Sequence, residues 1–86
     1  MRKNKLGDIL EVTWIDAQQD SEWQEYIDLN IQELQEFVTV GYYLKEGDNH
    51  IALCQSFDNE IKKKGKGLID SIMQVPKATI TNIRKL

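Results

Sequence analysis

The sequence predicts a small, mainly β domain with five strands. Three observations support this prediction: short runs that alternate apolar and polar residues, turn residues between these runs, and a hydrophobic content of 41%. Alternation with a period of two is typical of a strand with one buried face. The 86 residues are predicted to form one domain, residues 1–86, which should bury about 60% of the surface that the unfolded chain exposes.

The first predicted strand covers residues 8–15, where Leu10, Val12 and Trp14 share one face. A strand with this pattern packs its apolar side on a core and leaves the other side to solvent. It is followed by a polar stretch without periodicity, which predicts a break before the next element.

A helix is predicted next, over about residues 22–35. Acidic residues in its first turn suit the positive end of a helix dipole, and its apolar residues recur at helical spacing. These are Trp23, Ile27, Ile31 and Leu34. We expect this stripe to pack against the strands. Asn30 interrupts the pattern, and a long, partly ordered loop is the alternative.

Two more alternating runs follow, at residues 37–45 and 51–57, with a turn at residues 46–49. Gly47 and Asn49 in that turn tolerate positive φ. The two runs are therefore predicted to pair as an antiparallel hairpin.

The remaining residues complete the predicted sheet. A polar, basic connection leads to a strand over residues 68–75, and Pro76, which lacks an amide donor, belongs at its end. Residues 77–79 then suit a single 3₁₀ turn, and residues 80–86 a last strand. This order, with one α-helix inserted between strands 1 and 2, is that of a small five-stranded barrel of the SH3 or Sm-like kind. Such barrels are binding modules more often than enzymes.

Charge is distributed unevenly along the chain. Residues 6–44 contain nine acids and neither Lys nor Arg, whereas residues 45–86 contain eight basic residues and five acids. A net charge of −3 and a pI near 5.0 weigh against nucleic acid as a partner, because such binding depends on a positive face. Three interpretations stay open: the halves offset each other across the folded surface, the acidic half meets a basic partner, or the halves pair between subunits.

Four sequence blocks resemble those of small, mostly uncharacterised proteins encoded by bacteriophages and prophages. The blocks are residues 11–17, 40–44 and 51–56, and residues 75–77 followed by Ile80, Ile83 and Leu86. The resemblance implies the small barrel fold and an accessory protein that acts during infection of a bacterium. Such proteins often block a host defence, either by sequestering a nucleotide signal or by binding a defence protein.

Residues typical of catalysis or metal binding are few. His50 is the only histidine and Cys54 the only cysteine, so neither a disulfide nor a multi-cysteine zinc site is predicted. We expect a solvated turn histidine, a buried structural thiol, no enzyme activity, no metal and no cofactor. A single cysteine fits a reducing compartment, and no apolar run reaches the roughly 18 residues that cross a bilayer. The expected location is the cytoplasm of the bacterial host cell, without a membrane partner.

The first functional hypothesis is a homo-oligomer that sequesters a small anionic, nucleotide-like signal. Its motivation is the run at residues 62–67, because ammonium groups and Gly amides bind phosphate oxygens, although the spacing is not that of a P-loop. The expected phosphate-binding residues are Lys62, Lys63, Lys64, Lys66, Lys77 and Arg84. Tyr43, expected to be accessible, and Trp23 are the expected stacking residues. The alternative interpretation of residues 62–67 is a solvated turn whose lysines deter aggregation at the edge of the sheet.

The second hypothesis is an inhibitor that places its acidic segment, residues 16–36, on a basic surface of a host protein involved in defence or nucleic-acid handling. The expected contact residues are Asp20, Glu22, Glu25 and Asp28, whose charge would speed association. A small structural or assembly component is the third hypothesis.

Overall fold

The computed structural model describes residues 3–17, 22–31 and 33–86. The strands are β1 (Ile9–Ile15), β2 (Glu36–Glu46), β3 (His50–Cys54), β4 (Ser56–Phe57), β5 (Ile69–Asp70), β6 (Met73–Pro76) and β7 (Ile80–Lys85). The helical elements are α1 (Glu60–Lys64) and two 3₁₀ turns, Tyr26–Asp28 and Lys77–Thr79. The described part of the chain is thus mainly β, as predicted from the alternating runs.

Five of the strands form one antiparallel sheet in the order β6-β3-β2-β1-β7. The predicted hairpin of β2 and β3 is confirmed, with Tyr42 opposite Cys54. β1 pairs with β2 along its whole length, and Ile15 lies opposite Glu36. β4 and β5 form a separate two-stranded ladder.

The predicted five-stranded barrel of the SH3 or Sm-like kind is wrong, because the sheet does not close. β6 and β7 are its two edges, and within the described residues β6 pairs with β3 and β7 pairs with β1. Register shifts after Thr13 and after Tyr43 bend the sheet, as bulges do. β6 has only four residues, and the turn Lys77–Thr79 carries the chain from one edge to the other without forming a ladder between them.

The predicted α-helix over residues 22–35 is also wrong. The described residues of this range contain only the 3₁₀ turn Tyr26–Asp28, which is closer to the loop that was the alternative. A short helix is marginal unless its apolar face packs on another element, and this segment buries none of its described residues. Among the described residues the one α-helix is α1, which lies in the predicted polar connection. Within the described part of the chain, no helix has the length and apolar character needed to cross a bilayer.

The end of the chain follows the predicted pattern with one exception. The single strand predicted over residues 68–75 is two strands, β5 and β6, because Ser71 between them has a φ of 54° and so leaves the extended conformation. The 3₁₀ turn predicted after Pro76 is confirmed. It delivers the chain into β7 beside β1.

The core lies on one face of the five-stranded sheet. Its buried members come from β1, β2, β3 and β6: Leu10, Val12, Tyr43, Ile51, Leu53 and Val75. Trp14, Met73 and Ile80 pack against them while remaining partly exposed. Alternation along β1 and β3 therefore predicted the buried face correctly.

Candidate binding surfaces

The loop between β1 and β2 forms an arm, by which we mean residues 22–31 and 33–35. Its 3₁₀ turn is held by backbone hydrogen bonds from Asp28 N to Glu25 O at 3.0 Å and from Leu29 N to Tyr26 O at 3.2 Å. Glu25 and Leu29 on either side of the turn have extended backbones. The arm is therefore mostly extended chain with one tight turn.

The arm exposes a set of large apolar side chains. Its most exposed members are Trp23, Tyr26, Ile27 and Ile31, at 102, 92, 89 and 90%. Leu29 and Leu34 are about half exposed. So many exposed large apolar side chains within one short segment are uncommon on a protein that acts alone.

The dimensions of the molecule are consistent with an arm that extends from the sheet. The radius of gyration is 17.0 Å and the longest dimension is 58 Å. A compact domain of 86 residues would have a radius of gyration of roughly 12 Å. The apolar side chains of the arm are therefore held away from the core rather than folded over it.

The base of the arm is fixed by contacts within the sheet. Asp16 N donates a hydrogen bond to Gln35 O at 3.3 Å, and the rings of Trp14 and Phe37 stack with their centroids 5.0 Å apart. Trp14 Nε1 also donates to Thr39 Oγ1 at 3.0 Å. The arm thus leaves the sheet at a defined position.

Acidic residues lie among the exposed apolar residues of the arm. Glu22, Glu25 and Asp28, three of the predicted partner-binding acids, are exposed there together with Glu33. Asp20, the fourth predicted acid, lies outside the described residues. The arm therefore combines apolar contact area with negative charge, a combination that the helix prediction placed on two opposite faces.

A cavity of about 780 Å³ opens where the sheet fails to close, between β7 and the hairpin of β2 and β3. Its apolar lining includes Ile51, Ile80 and Ile83, and its polar lining includes Tyr43, Glu46 and Lys77. Lys3 also lines it. The volume lies within the range of about 300–1,000 Å³ that is typical of binding pockets.

The polar side of the cavity is a connected network. Tyr43 Oη donates to Glu46 Oε1 at 3.0 Å, and Lys77 forms an ion pair with the same carboxylate. The hydrogen bonds from Lys77 and Tyr43 hold the pKa of Glu46 below its ordinary value. Burial, together with the Glu46 carboxylate, raises the pKa of Tyr43. Both groups thus keep the protonation state that the hydrogen bond requires.

The predicted phosphate-binding residues are distributed over three places. Lys62, Lys63 and Lys64 lie on α1 and Lys66 follows it, whereas Lys77 lines the cavity and Arg84 lies on β7. Three of these cations already have acidic partners: Lys64 with Glu60, Lys77 with Glu46, and Arg84 with Glu11. The lysines of residues 62–66 do not line the described cavity.

Lys62 has a structural contact. Its Nζ lies 5.5 Å from the centroid of the Phe57 ring, and a Cβ added at Gly7 would come within 2.6 Å of its Cε. Lys63 and Lys66 are exposed and form no ion pair with the described residues. The helix ends at Gly65, which has a left-handed backbone, so the Gly of the basic run serves as a C-cap.

The two predicted stacking residues are not equivalent. Trp23 lies on the arm and is fully exposed, whereas Tyr43 is 7% exposed and belongs to the core. The expectation that Tyr43 is accessible is therefore wrong. Tyr43 shares a strand face with Thr39 and Gly41, which lie opposite the buried Val12 and Leu10 of β1, so its ring lies on the core face. The other face of β2 carries Val38 and Val40, which are 61 and 45% exposed.

Cys54 is buried, as expected for a structural thiol, and burial raises the pKa of its thiol. His50 is exposed at the start of β3. Among the residues that the structure describes, no group of three His, Cys, Asp or Glu side chains is placed to hold a metal ion.

Comparison with known proteins adds no family assignment. A scan against protein-family models found no matching family, and searches of curated proteins and of solved structures found no significant match. The resemblance to bacteriophage proteins therefore rests on the sequence blocks alone and stays a prediction.

Sequence reasoning did not identify the cavity. Lys3, Ile80 and Ile83 were not named as binding residues, and they come from opposite ends of the chain. The size of the cavity depends on the distance between β7 and β3. No periodicity or motif in the sequence predicts that distance. One feature of the sequence pointed to an exposed arm: Asn30 interrupts the helical stripe of apolar residues.

Proposed function

We propose that this chain is a non-enzymatic binding protein that contacts a partner protein through its arm. The observation that carries the proposal is the exposure of Trp23, Tyr26, Ile27 and Ile31, which pack on nothing in the described structure. The sheet, in this proposal, is the scaffold that holds the base of the arm in place. Of the hypotheses that the sequence leaves open, this is the one that the geometry supports best.

The apolar side chains supply the expected affinity. Burying a large aliphatic or aromatic side chain stabilises by about 1.5–3 kcal/mol. Aromatic residues such as Trp and Tyr also dominate the energetics of many interfaces. The arm presents Trp23 and Tyr26 within four residues, so a partner with an apolar groove would gain substantial contact area from a short segment.

The acidic side chains narrow the type of partner. Glu25, Asp28 and Glu33 lie beside the apolar residues, and a negatively charged arm is attracted to a basic surface. Such complementarity raises the association rate and makes it sensitive to salt. The partner surface expected for the arm is therefore apolar at its centre and basic at its rim.

The nucleotide hypothesis has less structural support. Its six predicted cations do not converge on one described site, and three of them are ion-paired within the chain. Its two stacking residues are separated into the arm and the core. Sequestration of a nucleotide signal, an anti-defence role and a role in assembly all remain predictions from the sequence.

Photo-crosslinking in the cells that naturally make the protein tests the proposal. A photoreactive phenylalanine derivative is placed at Trp23, Ile27 or Ile31, one position at a time, and covalent adducts are separated and identified by mass spectrometry. We expect a discrete protein adduct from the arm positions. A matched control carries the same photoreactive group at Lys66, an exposed residue in the connection between α1 and β5.

Two outcomes would contradict the proposal. One is that the arm positions give no protein adduct above the Lys66 control. The other is that the triple variant Trp23→Ser, Ile27→Ser, Ile31→Ser unfolds at a much lower temperature than the wild type, since that would mean that the arm stabilises the fold. Because these side chains are exposed, we expect each substitution to change stability by no more than about 0.5 kcal/mol.

A further inference from the structure

We propose that the partner of the arm is a second copy of this chain, and that Trp23 of each copy inserts into the cavity of the other. This inference rests on the proposed function and names the occupant of the same surface. The arm supplies an exposed indole flanked by acids, and the cavity supplies apolar side chains together with Lys3 and Lys77. Each chain carries both halves of the contact.

The cavity and the arm match in size and polarity. The cavity holds about 780 Å³ and its lining includes Ile51, Ile80 and Ile83, which would contact the faces of an indole. Tyr43 and Glu46 belong to the same lining. Indole N–H groups usually find a hydrogen-bond acceptor when buried, and the Glu46 carboxylate is an acceptor in this lining.

The two surfaces also match in charge. Lys3 and Lys77 line the cavity, and Arg84 and Lys85 line the adjoining depression on β7. Lys77, Arg84 and Lys85 are each paired with an acid of the same chain, so the match in charge rests on Lys3 and on the excess of basic residues in the second half of the chain. Residues 45–86 have three more basic residues than acids, whereas residues 6–44 carry nine acids and no Lys or Arg. Contact between the arm of one copy and the β7 side of another therefore brings opposite charges together.

The geometry favours a neighbouring copy over the same chain. The arm leaves the sheet at Ile15 and Glu36. The cavity lining runs from Ile80, which pairs with Trp14 beside the base of the arm, to Glu46 at the other end of β2. Trp23 is fully exposed, so it does not occupy the cavity of its own chain. A two-fold related copy presents its cavity to the arm, and the contact is then made twice.

The expected buried area is sufficient for a stable dimer. The two aromatic and four aliphatic side chains of one arm account for roughly 500–1,000 Å² when buried. The cavity side buries a similar area, so one arm accounts for roughly 1,000–2,000 Å² in total, close to the total of about 1,200–2,000 Å² that is usual for specific interfaces. Two reciprocal arms bury twice as much, and a single contact is still large enough to hold a heterodimer.

Sedimentation equilibrium of the full-length protein at several concentrations tests this inference. We expect the wild type to form a dimer of twice the 10.0 kDa chain mass, and Trp23→Ala to weaken dimerisation by at least about 30-fold, as for a central aromatic residue of an interface. Leu68→Ser is the matched control, because Leu68 is an exposed apolar residue at 82% outside both surfaces. It should leave the dimer intact.

Mixing two variants tests the reciprocal contact directly. Trp23→Asp disables the arm and leaves the cavity, whereas Ile83→Asp disables the cavity and leaves the arm. Each should be a monomer alone, and the mixture should form a heterodimer through one remaining arm and cavity. Circular dichroism checks the fold of Ile83→Asp, and Ile83→Ser replaces it should that variant be unfolded.

The failure of this inference is distinguishable from failure of the proposed function. A wild type that stays monomeric at 100 µM or more, or a dimer that Trp23→Ala leaves unchanged, would overturn the exchange of arms. A crosslinked adduct between the arm and a different protein would still support the proposed function. Adducts between two copies of the chain, lost in Ile83→Asp, would support both.

Discussion

The hydroxyl of Tyr43 donates a hydrogen bond of 3.0 Å to the carboxylate of Glu46. This contact spans the register shift in β2 and is extended by the ion pair between Glu46 and Lys77. It ties β2 to the 3₁₀ turn that leads into β7. All three residues line the cavity, so the network fixes part of its polar lining, while β7 itself is held by its pairing with β1.

We expect Glu46→Gln to change how stability depends on pH. The contacts with Lys77 and Tyr43 hold the pKa of Glu46 below its ordinary value near 4.5. The stability contributed by this carboxylate is therefore present above about pH 4.5 and is lost as the pH falls through the lowered pKa. At pH 7 the variant should lose up to about 1 kcal/mol, or about 4–8 °C in Tm, and the difference should shrink at pH 3.

Thermal unfolding at pH 7 and pH 3 measures this effect. Glu25→Gln is the control, because Glu25 is an exposed carboxylate of the arm that forms no ion pair with the described residues. An equal loss of Tm at both pH values would contradict the prediction for Glu46.

Gly41→Ala should destabilise the sheet. A Cβ at Gly41 would lie 3.1 Å from the carbonyl oxygen of Cys54 and 3.2 Å from the Cβ of Leu53. Both atoms belong to β3. The space beside Gly41 is therefore occupied by the neighbouring strand of the same chain. Overpacking of this kind costs about 1–3 kcal/mol, to be read from urea unfolding midpoints. Gly47→Ala has no heavy atom within 4 Å of its new Cβ, and equal stability of the two variants would rule out the predicted clash.

The thiol of Cys54 should react slowly while the protein is folded. It is buried, and burial raises its pKa, so both access and the thiolate fraction are low. Labelling with an aromatic disulfide reagent should be at least about 100-fold slower than in the double variant Cys54→Ser, Lys66→Cys, because it requires opening of the fold. Equal rates in the absence of urea would show that β3 is accessible.

Lys62→Ala should be less stable than Lys63→Ala. The Lys62 ammonium lies 5.5 Å from the centre of the Phe57 ring, and such a contact contributes about 0.5–1 kcal/mol at an exposed site. Lys63 has no such contact with the described residues and should be neutral. Chemical unfolding of the two single variants measures the difference. Identical unfolding midpoints would show that Lys62 has no role in stability.

This difference also sharpens the test of the nucleotide hypothesis. Substitution of Lys63, Lys64 and Lys66 by Ala removes positive charge from the basic run and keeps the Lys62 contact. If the run binds a cyclic or ADP-ribose-type nucleotide, the wild type should give a calorimetric signal that the triple variant lacks. A wild type that binds no nucleotide of such a panel would end that hypothesis.

Much of the local structure could be predicted from the sequence. The alternation of Leu10, Val12 and Trp14 predicted both β1 and its buried face, and the turn around Gly47 predicted the pairing of β2 with β3. Pro76 predicted the end of β6 and the turn after it. These features depend on side-chain period and backbone restrictions within a few residues, so a single sequence contains them.

The helical stripe of Trp23, Ile27 and Ile31 shows why the rest could not be predicted. A spacing of four describes where side chains would lie if the segment were helical. It does not state whether another surface of the chain is available to cover them. Alternation along β2 likewise did not state which of its two faces is buried, and only the register with Leu10 and Val12 of β1 places Tyr43 on the core face.

The sequence by itself determined the mainly β class, the hairpin, the buried faces of β1 and β3 and the uneven distribution of charge. Each of these follows from residue type and short spacing. Only the tertiary structure decided that the sheet stays open, that the segment after β1 is an exposed arm, and that Tyr43, Lys77 and Ile83 line one cavity. These outcomes depend on distances between residues far apart in the chain, because packing between strands, and not local preference, sets them.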